Sequence, residues 1–139
     1  MKRKPIPKKT RQQVYDKYNG HCAYCGKAID IKDMQVDHVV SYGLSIYSGT
    51  EEDRKRIQEM VDNGSINALD NLMPACRMCN FYKSSLTLEE FRTSIFNELS
   101  HTCVKSFQVR LAIQFGMIEY HPWDGKFYFE KCNEKDNDK

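Results

Sequence analysis

Apolar positions recur along this chain with two different periods, and the changes of period mark where helix gives way to strand. Near the start, Val14 and Tyr18 stand four apart, Thr10 with Gln13 forms a capping box and Asn19-Gly20 supplies a stop, which predicts a helix over about 11 to 18. Residues 34 to 40, Met-Gln-Val-Asp-His-Val-Val, have the β-branched content of a strand, and 28 to 31 supply its expected hairpin partner. Successive residues on a regular strand face opposite sides, so Asp37 and His38 can serve one site only near a strand end or bulge. Residues 41 to 49 predict a loop, and the polar stretch 50 to 61, closed by Asp62-Asn63-Gly64, predicts a charged helix inserted at the surface. A short helix is expected from the Cys76 turn through Lys83. Leu88, Phe91, Ile95 and Leu99 give an apolar face to a helix over 88 to 99 that opens on the box Thr87 and Glu90. Phe107, Leu111 and Phe115 do the same for a helix over about 104 to 115, stopped at Gly116. Residues 117 to 120 and 126 to 131, on either side of the turn at 121 to 125, predict a terminal hairpin, and the Asp/Lys/Asn-rich tail after Cys132 predicts disorder.

Composition limits what these elements can build. A chain of 139 residues, 40% hydrophobic and 29% charged, has room for one domain with a small core and an arm, and none for two full enzymatic domains. No apolar run approaches the roughly 18 residues that cross a bilayer, and the first residues lack the apolar stretch of a secretory signal, so a cytoplasmic protein without membrane contact is expected. The net charge of +2 hides an asymmetry. Lys2, Arg3, Lys4, Lys8, Lys9 and Arg11 put six of the 21 basic residues into the first eleven positions, leaving 15 basic against 19 acidic residues for the rest. A basic arm on a mildly acidic body suits attachment to a polyanion such as DNA, while a solvated leader is the plainer alternative.

The six cysteines are more specific. Cys22-x2-Cys25 and Cys76-x2-Cys79 offer four thiolates, the number that fills a tetrahedral zinc ion and leaves no position for water. Such a metal is structural, and its binding energy joins two segments far apart in a chain with a small core. Cys103 and Cys132 lack this spacing and read as ordinary thiols.

Between and after the cysteine pairs lie Val36-Asp37-His38-Val39 and the string Asp70-Asn71-Leu72-Met73-Pro74-Ala75-Cys76-Arg77-Met78-Cys79-Asn80-Phe81-Tyr82-Lys83. Over about residues 11 to 95 the chain thereby resembles the HNH endonuclease family, in particular members with a four-cysteine zinc site beside a ββα-metal hairpin, and in general layout the phage and prophage members. The resemblance implies a small α+β fold with a treble-clef-like ββα core and structural zinc. It implies hydrolysis of DNA phosphodiester bonds, with His38 as general base, Asp37 and Asn80 as ligands of one catalytic ion, and Asn71 holding the catalytic loop and orienting the histidine. Lys83 stands where the family has a basic residue near the scissile phosphates. The family often carries a proline shortly after the histidine, where this chain has Val40-Ser41-Tyr42.

Elementary chemistry agrees with these roles. One carboxylate and one amide oxygen make a weak, hard site that leaves positions for water and phosphate and favours Mg²⁺ or Mn²⁺. An imidazole, titrating ordinarily at about pH 6.5, can take a proton from water at neutral pH. Arg77 and Lys83 are candidate DNA contacts with the arm residues, or solvated charges. The terminal aromatics Tyr120, Trp123, Phe127, Tyr128 and Phe129 read as core rather than as a base-stacking platform. The expected organisation is therefore a flexible basic arm at 1 to 9, a nuclease core at 10 to 100 with the inserted helix at about 50 to 62, an extension of helix and hairpin at 101 to 132, and a disordered tail at 133 to 139. DNA is the expected partner, with phage packaging proteins or a second copy of the chain as further ones. The alternative is a catalytically inactive zinc-stabilised DNA-binding or regulatory module.

Overall fold

In the computed structural model, which describes residues 3–43 and 49–139, the chain packs as two compact units, Met1–Thr87 with Phe127–Lys139 and Leu88–Lys126. Lys2 and most of the loop expected at 41 to 49 lie outside the described residues. The boundaries differ from those expected because the chain end returns to the first unit.

The first unit is built on a two-stranded antiparallel sheet. Helix α1 (Lys8–Asp16) opens one turn earlier than its capping box predicts, with Pro7 at the N-cap, where its fixed φ suits the start of a helix. Strand β1 (Gln35–His38) pairs with β2 (Leu72–Ala75), His38 opposite Leu72 and Asp37 opposite Met73. The expected partner at 28 to 31 is replaced. Residues 30 to 34 turn back on themselves through Asp33 N–H and Met34 N–H donating to the Asp30 carbonyl, and Ala28 bridges only His21. The core lies where α1 crosses the sheet: Val14, Met34 and Leu72 are buried, with Ile6, Tyr15, Ile29 and Val36 packed against them. Ile6 thereby ties down a segment expected to be a flexible arm. Helix α2 (Glu51–Asp62) has the polar surface expected of it and a reciprocal capping box between Thr50 and Asp53. Two 3-10 turns, Ser65–Asn67 and Leu69–Asn71, lead into β2, and helix α3 (Arg77–Lys83) follows directly from it and packs on β1.

In the second unit a helix starts as α4 (Leu88–Ser94), passes through a π-helical turn (Ile95–Leu99) and continues as α5 (Ser100–Lys105), longer than the 88 to 99 expected. Helix α6 (Phe107–Gln114) begins at a Ser106 cap, and the apolar face it was expected to bury is exposed: Phe107 is 64% and Phe115 71% accessible.

The expected terminal hairpin is absent. Residues 126 to 131 enter helix α7 (Tyr128–Asn137), which also occupies most of the tail expected to be disordered. The alternation of Phe127 and Phe129 is real, and both rings are buried, but they insert at the start of a helix. The backbone N–H groups of Tyr128 and Phe129 donate to the carbonyls of Tyr24 and Ala23, and Glu130 accepts the N–H of Phe127 at 2.8 Å, closing the first turn. Phe127 lies edge-on to Tyr24 at 5.4 Å. Burying an aromatic of this size stabilises by roughly 1.5–3 kcal/mol, so the chain end is part of the core of the first unit.

Candidate metal centre and histidine site

The first cysteine pair sits on a tight turn closed by Cys22 N–H to the Lys27 carbonyl at 2.8 Å and Gly26 N–H to the Cys22 carbonyl at 2.9 Å. Gly26 has φ +79°, and a Cβ there would stand 2.8 Å from the Tyr128 ring, so the turn requires glycine on both counts. The second pair opens α3: Cys76 is the N-cap, and its sulfur accepts the N–H of Cys79 at 3.5 Å. The two halves meet through Ala23 N–H and the Pro74 carbonyl at 2.8 Å.

All four Sγ atoms lie within 4.8 Å of one another, and Cys25 and Cys76 Sγ are 3.9 Å apart. Zn–S bonds of about 2.3 Å in a tetrahedron require Sγ separations of about 3.8 Å, so the cluster fits the ion. Its electrostatics point the same way. Hydrogen bonds from the Cys25 and Cys79 thiols hold the Cys22 thiol far below its ordinary range, while sharing with Cys22 pushes Cys25 up to about 11 and Cys79 well above the usual thiol range. Thiols that oppose one another's ionisation in this way are the ones a divalent cation, by binding thiolates, stabilises together.

The strand β1 ends at His38, and its last two residues face different neighbours. Asp37 is 5% exposed. Its Oδ2 accepts the Tyr24 hydroxyl at 2.5 Å and pairs with the Lys83 ammonium at 3.0 Å. Burial first, then the Asp37 charge, pushes the Tyr24 phenol far above its ordinary range, so it stays a donor. Lys83 is fully buried and also donates to the His38 carbonyl at 3.1 Å. This corrects the expectation of Lys83 as a surface charge or phosphate contact: its ammonium is committed inside the fold. The Oδ1 of Asp37 takes no hydrogen bond from a described residue, and the same holds for the half-buried side-chain amide of Asn80 on α3.

His38 Nε2 lies 2.8 Å from Asn67 Oδ1, and the ring meets Tyr42 edge-on at 5.3 Å. Asn71 does not touch the ring. Its Oδ1 accepts Val40 N–H at 2.8 Å, its Nδ2 donates to the carbonyls of Val40 at 3.2 Å and Ile66 at 2.8 Å, and its own carbonyl accepts Val39 N–H. Asn71 thus clamps the chain leaving β1 to the turn that carries Asn67. Neither Tyr24 nor Asn67 is singled out by local pattern, since both contacts span long sequence separations.

The basic residues divide. Arg77 is exposed on the first turn of α3, and Lys4, Lys8 and Lys9 are exposed around the start of α1. Arg3 lies over the Tyr42 ring at 5.0 Å, which brings the start of the chain to the histidine site. Arg11 does not belong with them: its Nη2 donates to the carbonyls of Ile31 at 2.8 Å and Met34 at 2.5 Å, holding the turn before β1.

Among known proteins, the chain is 31% identical over 83 residues to a protein of Bacillus subtilis (strain 168) named "SPbeta prophage-derived putative HNH endonuclease YoqL". The match covers 60% of this chain and 31% of that relative's length. No family model matches the chain, and no solved structure matches it. No described helix is long and apolar enough to cross a membrane.

Proposed function

We propose that this chain is a metal-dependent DNA endonuclease of the HNH type, in which β1, β2 and α3 form a treble-clef-like ββα core around a structural zinc. The observation that carries the reading is the placement of His38 at the end of β1, ring anchored and backbone clamped, on the element that also presents Asp37 and packs against the zinc-fixed helix bearing Asn80. The likeness to a protein named for that activity supports it.

On this reading the four cysteines hold zinc, and Asp37 through Oδ1 with Asn80 through its amide oxygen would hold a Mg²⁺ or Mn²⁺ ion. Such an ion, when bound, supplies a Lewis acid for the scissile phosphate and charge for the leaving oxygen. His38 takes the proton of the attacking water. Asn71 keeps the loop after β1 at fixed distance from the turn at 65 to 67, and Lys83 with Tyr24 holds the Asp37 carboxylate in one orientation by its other oxygen. Arg77 with Lys4, Lys8 and Lys9 takes DNA phosphates, and so does Arg3, because of its place beside Tyr42.

The test is nicking of supercoiled plasmid with Mg²⁺ or Mn²⁺ by the zinc-loaded protein, beside His38→Ala. General-base assistance is worth about 10² to 10⁴, so the variant should lose at least about a hundredfold. Equal activity would remove His38 from the mechanism. A second reading, a zinc-stabilised DNA-binding module without hydrolysis, is favoured by one observation, the engagement of Asp37 Oδ2 by a buried ammonium that repels a second cation. Binding of plasmid without metal-dependent nicking would decide for it.

A further inference from the structure

The Nε2 atom of His38 faces an amide oxygen, and an amide oxygen only accepts. In the neutral imidazole this contact places the ring proton on Nε2 and the lone pair on Nδ1. Among the described residues no other group competes for this arrangement: Nδ1 takes no hydrogen bond, Tyr42 lies against the ring in a T-shaped contact, and Lys83 reaches the backbone carbonyl of His38 and not its ring.

From this we infer that Asn67 is a positioning residue for the proposed nuclease reaction: it fixes both the tautomer and the direction of the His38 ring, so that Nδ1 is the atom that accepts the proton from water. The inference rests on the reading of His38 as general base.

Asn67 is suited to the task by its surroundings. It ends the 3-10 turn Ser65–Asn67, whose middle residue Ile66 is buried at 1% exposure and anchors the turn in the core. The carbonyl of Ile66 is held by Asn71 Nδ2, whose Oδ1 accepts the N–H of Val40, two residues after His38. The histidine and its anchor are thus joined twice, once by the ring hydrogen bond and once by the backbone clamp. A ring free to rotate about its side-chain torsions would present the proton-accepting atom to water only part of the time, and misplacement by about 1 Å can cost a hundredfold in rate.

The experiment has two arms on the whole 139-residue, zinc-loaded chain. Proton-nitrogen NMR of labelled protein should show a ring N–H of His38, assigned by its absence in His38→Ala, because a bonded and shielded imidazole proton exchanges slowly. That signal should persist in Asn67→Asp, which keeps an acceptor oxygen, and vanish in Asn67→Ala while backbone signals of β1 and β2 stay in place. In the plasmid assay Asn67→Ala should lower kcat at least about tenfold with KM for DNA unchanged, and Asn67→Asp should recover most of that loss. A ring signal that survives in Asn67→Ala, or a kcat equal to wild type, would overturn the assignment. If the wild-type chain does not nick DNA at all, the nuclease reading falls and the catalytic role of Asn67 with it, whereas the NMR arm then still decides whether Asn67 holds the ring.

Discussion

The pair Lys83 and Asp37 makes the sharpest claim about stability, because both charges are out of water. Lys83 is fully buried and Asp37 is 5% exposed, with 3.0 Å between ammonium and carboxylate. At that distance, with an effective dielectric constant of about 20, their attraction is about 5.5 kcal/mol, and it offsets a desolvation cost of several kcal/mol for each ion. Lys83→Met keeps much of the buried stem and removes the charge, leaving the Asp37 carboxylate with the Tyr24 hydroxyl as its one remaining described partner. The expected cost is about 3–5 kcal/mol, several times that of a surface pair. Asp37→Asn alone should cost a comparable amount by stranding the ammonium, and the double variant should recover at least about 2 kcal/mol of the summed loss, since neither ion is then left alone. Urea unfolding followed by far-ultraviolet circular dichroism, with zinc present throughout, measures all four proteins. A loss below about 1 kcal/mol for Lys83→Met, or strict additivity in the cycle, would refute the claim that the pair is buried and coupled.

Three further outcomes are expected. Cys76→Ser should lower zinc content per chain and the unfolding temperature together, because metal binding is coupled to folding; a cooperative, zinc-free fold in chelator would contradict the four-thiolate site. Phe127→Ala should cost about 3–5 kcal/mol in urea unfolding, since the ring is 1% exposed against Tyr24, and a loss near zero would return the chain end to the status of a tail. Removing residues 1 to 4 should flatten the dependence of log K on log salt for duplex DNA by about 0.9 for each phosphate that the shortened chain no longer neutralises, and an unchanged slope would show that this segment neutralises none.

What the sequence discloses and what it hides follow from how local each signal is. The four-cysteine cluster is legible because two residues of spacing on a turn suffice to bring two sulfurs together, and β1 is legible from its β-branched run. The partner of β1 is not. Residues 28 to 31 look like a hairpin arm, and the Asp30 carbonyl accepting Asp33 and Met34 N–H, with the Arg11 guanidinium on the carbonyls of Ile31 and Met34, holds that segment in a turn instead. Lys83, at the end of a short helix, reads as a phosphate contact or a solvated charge until its stem is seen to reach back to residues 37 and 38. At the chain end the alternation of Phe127 and Phe129 marks burial correctly and secondary structure wrongly, since two aromatics at the start of a helix and two on a strand face have the same spacing, while Tyr120, read as core with them, is 38% exposed. Asn67 gives no local signal beyond a turn, and its partner lies 29 residues away.

The two asparagines on either side of β2 separate a loop clamp from a proposed metal ligand. Asn71 is 8% exposed and makes three side-chain hydrogen bonds, of which two need the Nδ2 donor, to Val40 and Ile66. Asn71→Asp keeps the acceptor for Val40 N–H but turns both donated bonds into a carboxylate facing two carbonyls, a cost of about 1–3 kcal/mol or more for a charged group. The loop after His38 and the turn bearing Asn67 then lose their joint, so nicking should fall at any metal concentration. Asn80, by contrast, follows Cys79 on the first turn of α3 with its amide unengaged by described residues, and Asn80→Asp preserves an oxygen at the same place. It should leave stability nearly unchanged and retain metal-dependent nicking, with a lower Mg²⁺ concentration for half activity because a carboxylate is the stronger hard ligand. Metal titrations of the two variants in the plasmid assay, beside their urea midpoints, check this. If added Mn²⁺ restores Asn71→Asp while Asn80→Asp stays inactive, the clamp and the ligand have been assigned the wrong way round.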